Sequence, residues 1–513
     1  VTSKRNSTFE LLLLLGATLV YLYITPHRIG VNSYDETTYL RMAPLSSFRD
    51  LILNQQWGPL YELWYRLLTF LCPDPLLRYF FSWSLLAGLV VLLPACARIR
   101  GGWLYGLLMI SLPVLIMPAY VAIFASAIFL CGLCWLLSRQ RLALSSGFAA
   151  ACVCAFVAAF ARPEFRFSVL LAAAATLLAA VFEWRGSAMK RAVGAKALVA
   201  LLCGAAMLYV MASSVGADRS ALAFLQHFNL RAIERGEIPV EGPVGGWDSP
   251  YANHAFGLDK THGASSNGLR LGDYFRANPR LFLGHLLTNL IDGRTVVLLL
   301  AILALLLWPW LRAQGRALRP ATGFVGCLCA APLAGIILVY PHDPYAMTIL
   351  PILLLLGLQE LPLERWPRPT VPAVLAVGAI LLICLQVTRR REARPDIELQ
   401  RRGLARVRCA RAVDALVTDP NPVVFETAET HFLSTYVRHP RLSVLLYEQP
   451  NWPRFKAWAA ATHPAWIQTD AWMAQTFNIS AAEMDGFLRN DLGYAPHPCP
   501  ASPGMVIYTH VLQ

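Results

Sequence analysis

The sequence predicts a polytopic α-helical membrane protein of about eleven spans, with a small α/β domain at its C-terminal end. Three observations predict it. Of 513 residues, 56% are hydrophobic and only 15% charged, with a mean hydropathy of +0.49. Soluble domains are closer to about 45–50% apolar and about 25% charged, so a soluble globule and a disordered chain are both excluded. Apolar runs alternate with short arginine clusters along most of the chain, and the composition changes sharply after about residue 389.

The first apolar run, Phe9 to Ile24, follows Lys4 and Arg5 like a signal sequence. It lacks a small-residue cleavage site before Pro26-His27-Arg28 and is read as a retained span. Further spans are expected at 78–97, 103–118, 119–137, 143–160, 166–183, 196–214, 295–311, 322–340, 346–361 and 370–387. Arg98/Arg100, Arg139/Arg141, Arg185/Lys190/Arg191, Arg312/Arg316/Arg319 and Arg365/Arg368 each fall where an even span ends. Positively charged loops stay inside, so the N-terminus is inside and the C-terminus outside. Arg389–Arg391 run against the rule.

Residues 1–388 thus form a transmembrane domain with two large outer loops, 26–77 and 216–294, followed by an extracytoplasmic domain, 389–513. In the first loop Tyr39, Met42, Leu45 and Phe48 recur at helical spacing. The second loop turns amphipathic from Leu281 to Leu290, as a helix lying on a membrane surface does. In the tail, the runs Val423–Phe425, Leu442–Leu446, Ala465–Ile467 and Met505–Tyr508 read as strands between helical stretches at Ala428–Tyr436 and Ala481–Leu492. Trp452, Trp458, Trp466 and Trp472 there either pack a core or stack on sugars.

The net charge of +13 does not indicate nucleic acid, because the basic residues flank apolar runs and form no stripe with interleaved aromatics. Anionic membrane lipids and lipid phosphates are the expected partners. Nine of the twelve cysteines lie inside spans as small packing residues, and Cys131-x-x-Cys134 has no second pair beside it. Cys409 and Cys499 can form a disulfide if the tail is extracytoplasmic. No spacing matches a zinc motif and no Gly-rich phosphate loop is present. No cofactor is called for, and a divalent cation is left open without support.

Polar residues at span ends carry the candidate chemistry, since a charge near a bilayer needs a partner or a function. Asp35-Glu36 opens the first outer loop, where one carboxylate can act as general base while its neighbour orients substrate. The spacing leaves simple N-capping equally open. Trp57-Gly58-Pro59-Leu60-Tyr61 reads by itself as an interfacial aromatic belt with a proline turn. Arg162-Pro163-Glu164-Phe165-Arg166 puts two arginines on the outer side, either gripping an anion in a bidentate fork or pairing with Glu164. Tyr340-Pro341-His342-Asp343-Pro344-Tyr345 occupies a tight outer turn, and the long loop adds His254, Asp259, His262, Arg270, Asp273, Tyr274 and Arg276, with Arg294 at its exit. All of them map to one side of the membrane.

Asp35-Glu36-x-x-Tyr39, Trp57-x-Pro59-Leu60-Tyr61 and Arg162-Pro163-Glu164 resemble motifs of the GT-C membrane glycosyltransferases. That group includes protein O-mannosyltransferases, the lipid A aminoarabinose transferase and mycobacterial arabinofuranosyltransferases. Asp273-Tyr274-Phe275-x-x-Asn278-Pro279, followed by an amphipathic helix, is similar to their long loop. The resemblance implies a GT-C-like fold and transfer of a hexosyl or pentosyl unit from a polyprenyl-phosphate donor to a hydroxyl of a glycan, lipid or protein. It places the enzyme in the inner membrane, with its site and tail on the periplasmic side. It implies Asp35 as base and Glu36 as the neighbouring acid. The family often has an Arg-Tyr pair at a late loop, but Tyr345 here follows Pro344. Arg162, Arg166, Arg270, Arg276, Arg294 and His342 are therefore the candidates for donor phosphate. Tyr39, Trp57, Tyr61, Glu164, Asp343, Tyr345, His254 and His262 are the candidates for the rest of the substrate.

Two other readings compete. An O-antigen ligase or polymerase would carry its essential Arg and His in a large late loop, which 216–294 resembles, but it would not need the acid pair of the first loop. A lipid-linked-sugar transporter or flippase would show paired repeats and mid-span charges, and the sequence has neither.

Overall fold

The computed structural model describes residues 2–24, 36–37, 39–41, 58–111, 121–139, 142–162, 164–186, 190–213, 219–238, 251–258, 269–292, 319–338, 343–359, 395–427, 433–439, 441–449, 451–500 and 502–510. The expected spans at 295–311 and 370–387 lie outside them, and the described parts of the others fall on helices. These are α1 (Thr2–Ile24), α3 (Pro75–Cys96), α4 (Gly102–Ser111), α5 (Val121–Leu137), α6 (Leu144–Ala159), α7 (Phe165–Gly186), α8 (Lys190–Ser213), α13 (Arg319–Leu338) and α14 (Asp343–Gln359). The first loop contributes α2 (Pro59–Leu71). The second contributes α9 (Arg219–Glu234), α10 (Tyr251–Ala255), α11 (Leu271–Ala277) and α12 (Pro279–Asp292). Among the described residues three helices are long and apolar enough to cross a membrane: Pro75–Cys96, Phe165–Trp184 and Lys190–Met211. Shorter apolar helices lie at Glu10–Tyr23, Val121–Leu137, Leu144–Ala159, Pro320–Gly335 and Thr348–Gln359.

Small side chains let the central helices approach. Ala151, Cys152, Ala155 and Ala158 of α6 are buried in one core with Val169, Ala172 and Ala173 of α7, and Cys152 Sγ lies 3.8 Å from the carbonyl of Val169. A Cβ on Gly132 of α5 would meet Cys154 Sγ at 2.6 Å and Phe324 of α13 at 2.9 Å. Without a hydrophobic drive between helices in lipid, such close backbone approach supplies the packing.

The two ends of the bundle are distinct. One gathers the arginine-bearing turns: Gln359 donates to the carbonyl of Arg100 (2.9 Å), Lys196 to Ser145 (2.9 Å), and the Ser145 amide to Glu183 (3.0 Å). The other gathers the first loop, the α6–α7 turn and the tail. There Asp74 caps α3, accepting from the amides of Leu76 and Leu77 at 3.0 Å each, with Pro75 preset at the first helical position. Asp74 also pairs with Arg411 of the tail helix α15 (Pro395–Asp414). Burial alone would raise the Asp74 carboxyl, but the Arg411 hydrogen bond and the two helix amides outweigh it and hold it below its ordinary value.

The tail forms a five-stranded mixed sheet from β1 (Val423–Glu426), β2 (Leu442–Leu445), β3 (Trp466–Thr469), β4 (Tyr494–Pro498) and β5 (Val506–His510), ordered β2-β1-β3-β5-β4. β1 pairs in parallel with β2 and β3, while β5 runs antiparallel to β3 and β4. Four strands coincide with the apolar runs read from the sequence. The fifth, Tyr-Ala-Pro-His-Pro, escapes that reading because its two prolines argue against a strand, and it is tolerated because β4 is an edge. The described part of the stretch at 428–436 is a 3₁₀ turn, Leu433–Tyr436, where a helix was expected. The stretch at 481–492 is a short helix, Ala481–Gly486, continued by a π turn, Phe487–Asp491. Cys409 of α15 and Cys499 after β4 form a disulfide.

Candidate active site

The site begins with a glycine. Gly58 adopts φ +60°, and a Cβ there would lie 2.0 Å from the carbonyl oxygen of Ala161. Only glycine fits that backbone-on-backbone contact. The amide of Leu60 then donates to the carbonyl of Phe160 at 2.9 Å. Two motifs a hundred residues apart, Gly58-Pro59-Leu60-Tyr61 and the Arg162–Glu164 turn, are thereby pinned together.

From Pro59 the chain runs as α2, and positions 61, 65 and 68 share its inward face. The hydroxyl of Tyr61 donates to Glu36 Oε1 at 2.5 Å, and the Tyr65 hydroxyl donates to the same oxygen. All three side chains are buried. Burial, with the Glu36 charge adding to it, raises both phenols well above their ordinary value, so they remain protonated donors. Tyr39 stands edge-on to Tyr61 with ring centroids 4.9 Å apart, and Phe124 of α5 closes in at 5.4 Å. Trp64 on the adjacent face donates to Ser82 of α3 at 2.8 Å and fixes α2 against the bundle. A carboxylate, two neutral donors and an aromatic wall are the result.

Glu62 of α2 is a second buried carboxyl, and neither of its oxygens has a hydrogen-bond partner. Burial raises it to about 7. The folded protein therefore favours its neutral form. Stability from this group is fully present below the ordinary carboxyl value and is lost as pH rises through about 7. Wild-type protein is expected to lose roughly 3 kcal/mol across that window, and Glu62→Gln to remove that part of the slope. Denaturation midpoints of both proteins at pH 5 and pH 9 measure it, and parallel pH dependences would reject the assignment.

The other candidates divide. Arg162 is buried and paired with the half-buried Glu164 on the turn that Gly58 contacts. Arg166, half-buried, begins α7 beside it. Arg270, Arg276 and His254 belong to the second loop, whose residues build a core of their own around Phe224, Phe228, Phe256, Tyr274 and Phe282. Within it Tyr274 donates to Asn253 at 2.8 Å. Arg276 is 81% exposed and pairs with Asp273 at 3.3 Å; Arg270 precedes α11 and its amide is capped by the same Asp273. His254 is exposed. Asp343 and Tyr345 stand in the first turn of α14, their side chains outside the described set. Asp35, Trp57, Asp259, His262, Arg294 and His342 lie outside the described residues. Among the described residues no three His, Cys, Asp or Glu side chains gather as a metal site. Trp466 and Trp452 are buried and Trp458 and Trp472 pack on the sheet core, so packing is the role the structure gives these indoles.

Sequence reasoning did not single out Tyr65, Glu62, Tyr79 or Tyr436. The i, i+4 spacing of Tyr61 and Tyr65 was the available signal for the first of them.

Fold and site together define a helical membrane protein whose first loop brings a carboxylate and two tyrosines to the bundle end that a mixed-sheet unit covers. No family model matches the chain, and no curated protein matches it. Among solved structures it is similar to ArnT from Cupriavidus metallidurans bound to undecaprenyl phosphate, at 12% identity and a TM-score of 0.48 over 98% of each chain. It is similar also to the apo state of the same protein, at 12% identity and a TM-score of 0.47 over 98% of each chain.

Proposed function

We propose that the protein is a GT-C-type glycosyltransferase that moves a hexosyl or pentosyl unit from a polyprenyl-phosphate donor to a hydroxyl of a glycan, lipid or protein, with inversion. The observation that carries this reading is the Glu36–Tyr61–Tyr65 cluster docked, through Gly58, on the Arg162–Glu164 turn. It unites in one place three motifs that are separate in the sequence.

Sugar transfer from a lipid phosphate needs a base at the acceptor hydroxyl and cations where negative charge develops on the leaving phosphate. Glu36 is committed to two phenols, which makes it the residue that sets the loop, and the base role falls to Asp35 beside it. Arg162 and Arg166 are the better phosphate candidates, since they sit on the docked turn and at the start of a long helix, whose amides also favour anions. Arg276, exposed and paired in the second loop, is the weaker one. No cofactor is required for this chemistry. The Cys409–Cys499 disulfide supports an oxidising compartment for the tail, and with it a periplasmic site in the inner membrane.

Purified protein in liposomes, supplied with polyprenyl-phosphate sugars and candidate acceptors, is expected to release free polyprenyl phosphate and form a glycoside of inverted configuration. Movement of intact donor across the bilayer without release would instead make it a transporter. Activity unaffected by first-loop substitutions but lost with His254→Ala and His262→Ala would favour the ligase reading.

A further inference from the structure

We propose that Tyr436, carried by the C-terminal sheet unit, is a positioning residue of the Glu36 site, so that the tail completes the reaction centre. This deepens the functional reading and rests on Glu36 lying at the site of transfer.

Tyr436 ends the 3₁₀ turn between β1 and β2, and it lies on the sheet face turned to the bundle, away from the core on the other face. That core is built on Phe425, Trp452, Phe455 and Ile467. Leu433, Tyr436 and Val437, with Val424, Trp466 and Ile507 of the opposite sheet face, belong to the core that holds Tyr39, Tyr61, Tyr65 and Tyr79. Tyr436 is fully buried, and its ring meets Tyr79 of α3 edge-on with centroids 5.9 Å apart. Burial first, then the Tyr79 phenol and the Glu36 carboxylate, hold its hydroxyl protonated well above the ordinary phenol value. A third tyrosine from a distant part of the chain thus stands within electrostatic reach of Glu36.

The turn is held from below. Glu426 of β1, fully buried, accepts from the Ser434 amide at 2.8 Å, from the Ser434 hydroxyl at 2.7 Å and from Ser443. Burial raises the Glu426 carboxyl, and its serine donors and the charge of Arg41 oppose that rise. Arg41 lies in the first loop, five residues after Glu36. The charge of Arg41 thus acts on Glu426 and that of Glu36 on Tyr436, while the Tyr436–Tyr79 ring pair is a direct contact between sheet unit and bundle. The Asp74–Arg411 pair fastens the same interface from α3, with Arg438 3.9 Å from Asp74. A neutral phenol fixed in this way restricts Glu36 and keeps water from it, which sharpens the geometry on which proximity catalysis depends.

Tyr436→Phe keeps the ring and removes the hydroxyl. In the full-length reconstituted protein, kcat is expected to fall about tenfold, with the donor KM within about twofold of wild type and an unchanged melting temperature. Ser434→Ala, which loosens the turn, is expected to fall in the same direction by less. Wild-type kcat in Tyr436→Phe, where Glu36→Gln is impaired, would reduce Tyr436 to a packing residue. A second measurement needs no turnover. In a double-mutant cycle of Glu36→Gln and Tyr436→Phe, the melting-temperature losses are expected to be non-additive, and strict additivity would overturn the coupling. An inactive wild type with a non-additive cycle would refute the functional reading and leave the Tyr436 contact standing.

Discussion

Glu36→Gln is expected to lower transfer roughly a hundredfold, the scale of a misplaced catalytic group, while the protein still folds. The substitution leaves an amide oxygen for Tyr61 or Tyr65 but removes the charge that strengthens both hydrogen bonds. It also brings an NH₂ group into a pocket that offers donors. The loop then relaxes, and the residue beside it, Asp35, no longer meets the acceptor hydroxyl in the required geometry. Asp35→Asn is the companion experiment. If Asp35 is the base, it abolishes turnover outright, whereas Glu36→Gln leaves a residue of activity at an unchanged pH optimum. Near-normal transfer in both purified variants would end the assignment of the first loop as the site of chemistry. Initial rates of polyprenyl phosphate release, with helical content recorded on the same samples, separate loss of function from loss of fold.

Opening the Cys409–Cys499 bridge is expected to have the largest effect on stability. The cross-link spans 90 residues and closes α15 onto the end of β4, enclosing β1, β2, β3 and β4 within its loop. Constraining an unfolded loop of that length contributes about 4 kcal/mol. Cys409→Ala or strong reductant is expected to lower the melting temperature of the tail by several degrees. Arg411, two residues after Cys409, would be freed with it, so transfer activity should fall at temperatures where the bundle itself remains folded. A peptide map without reduction should contain the Cys409 and Cys499 peptides joined. A melting curve indifferent to reductant would contradict this account.

Much of this architecture is legible in the chain because its signals are local. A run such as Phe165–Gly186 declares itself by composition, and Val423–Glu426 by a short apolar stretch bounded by proline and polar residues. Arginine alternation separates the two ends of the bundle, and the structure brings the turns at Arg100, Ser145 and Gln359 to one end as that alternation requires. The acid pair, the Trp57–Tyr61 motif and the Arg162–Glu164 turn were each visible as oddities for membrane segments. Their common side of the membrane was legible too, but the contact of Gly58 with Ala161 that brings the last two together was not. β4 escaped because its prolines mask an edge strand, and the Leu433–Tyr436 turn because a buried 3₁₀ segment has the same apolar content as a helix.

By itself the sequence determined the class of protein, the course of most helices and strands, and the two cysteines able to bridge the tail. Each depends on hydropathy, periodicity or residue type within a short window. The tertiary structure decided which hydroxyls Glu36 accepts, that Arg162 is buried where it pairs with Glu164, and that Tyr436 carries the bundle-facing side of the sheet onto Tyr79. Those contacts join residues tens to hundreds of positions apart. They arise only when helices and sheet close on one another, because a buried hydrogen bond is set by the packing of all its neighbours and leaves no periodic trace in the chain.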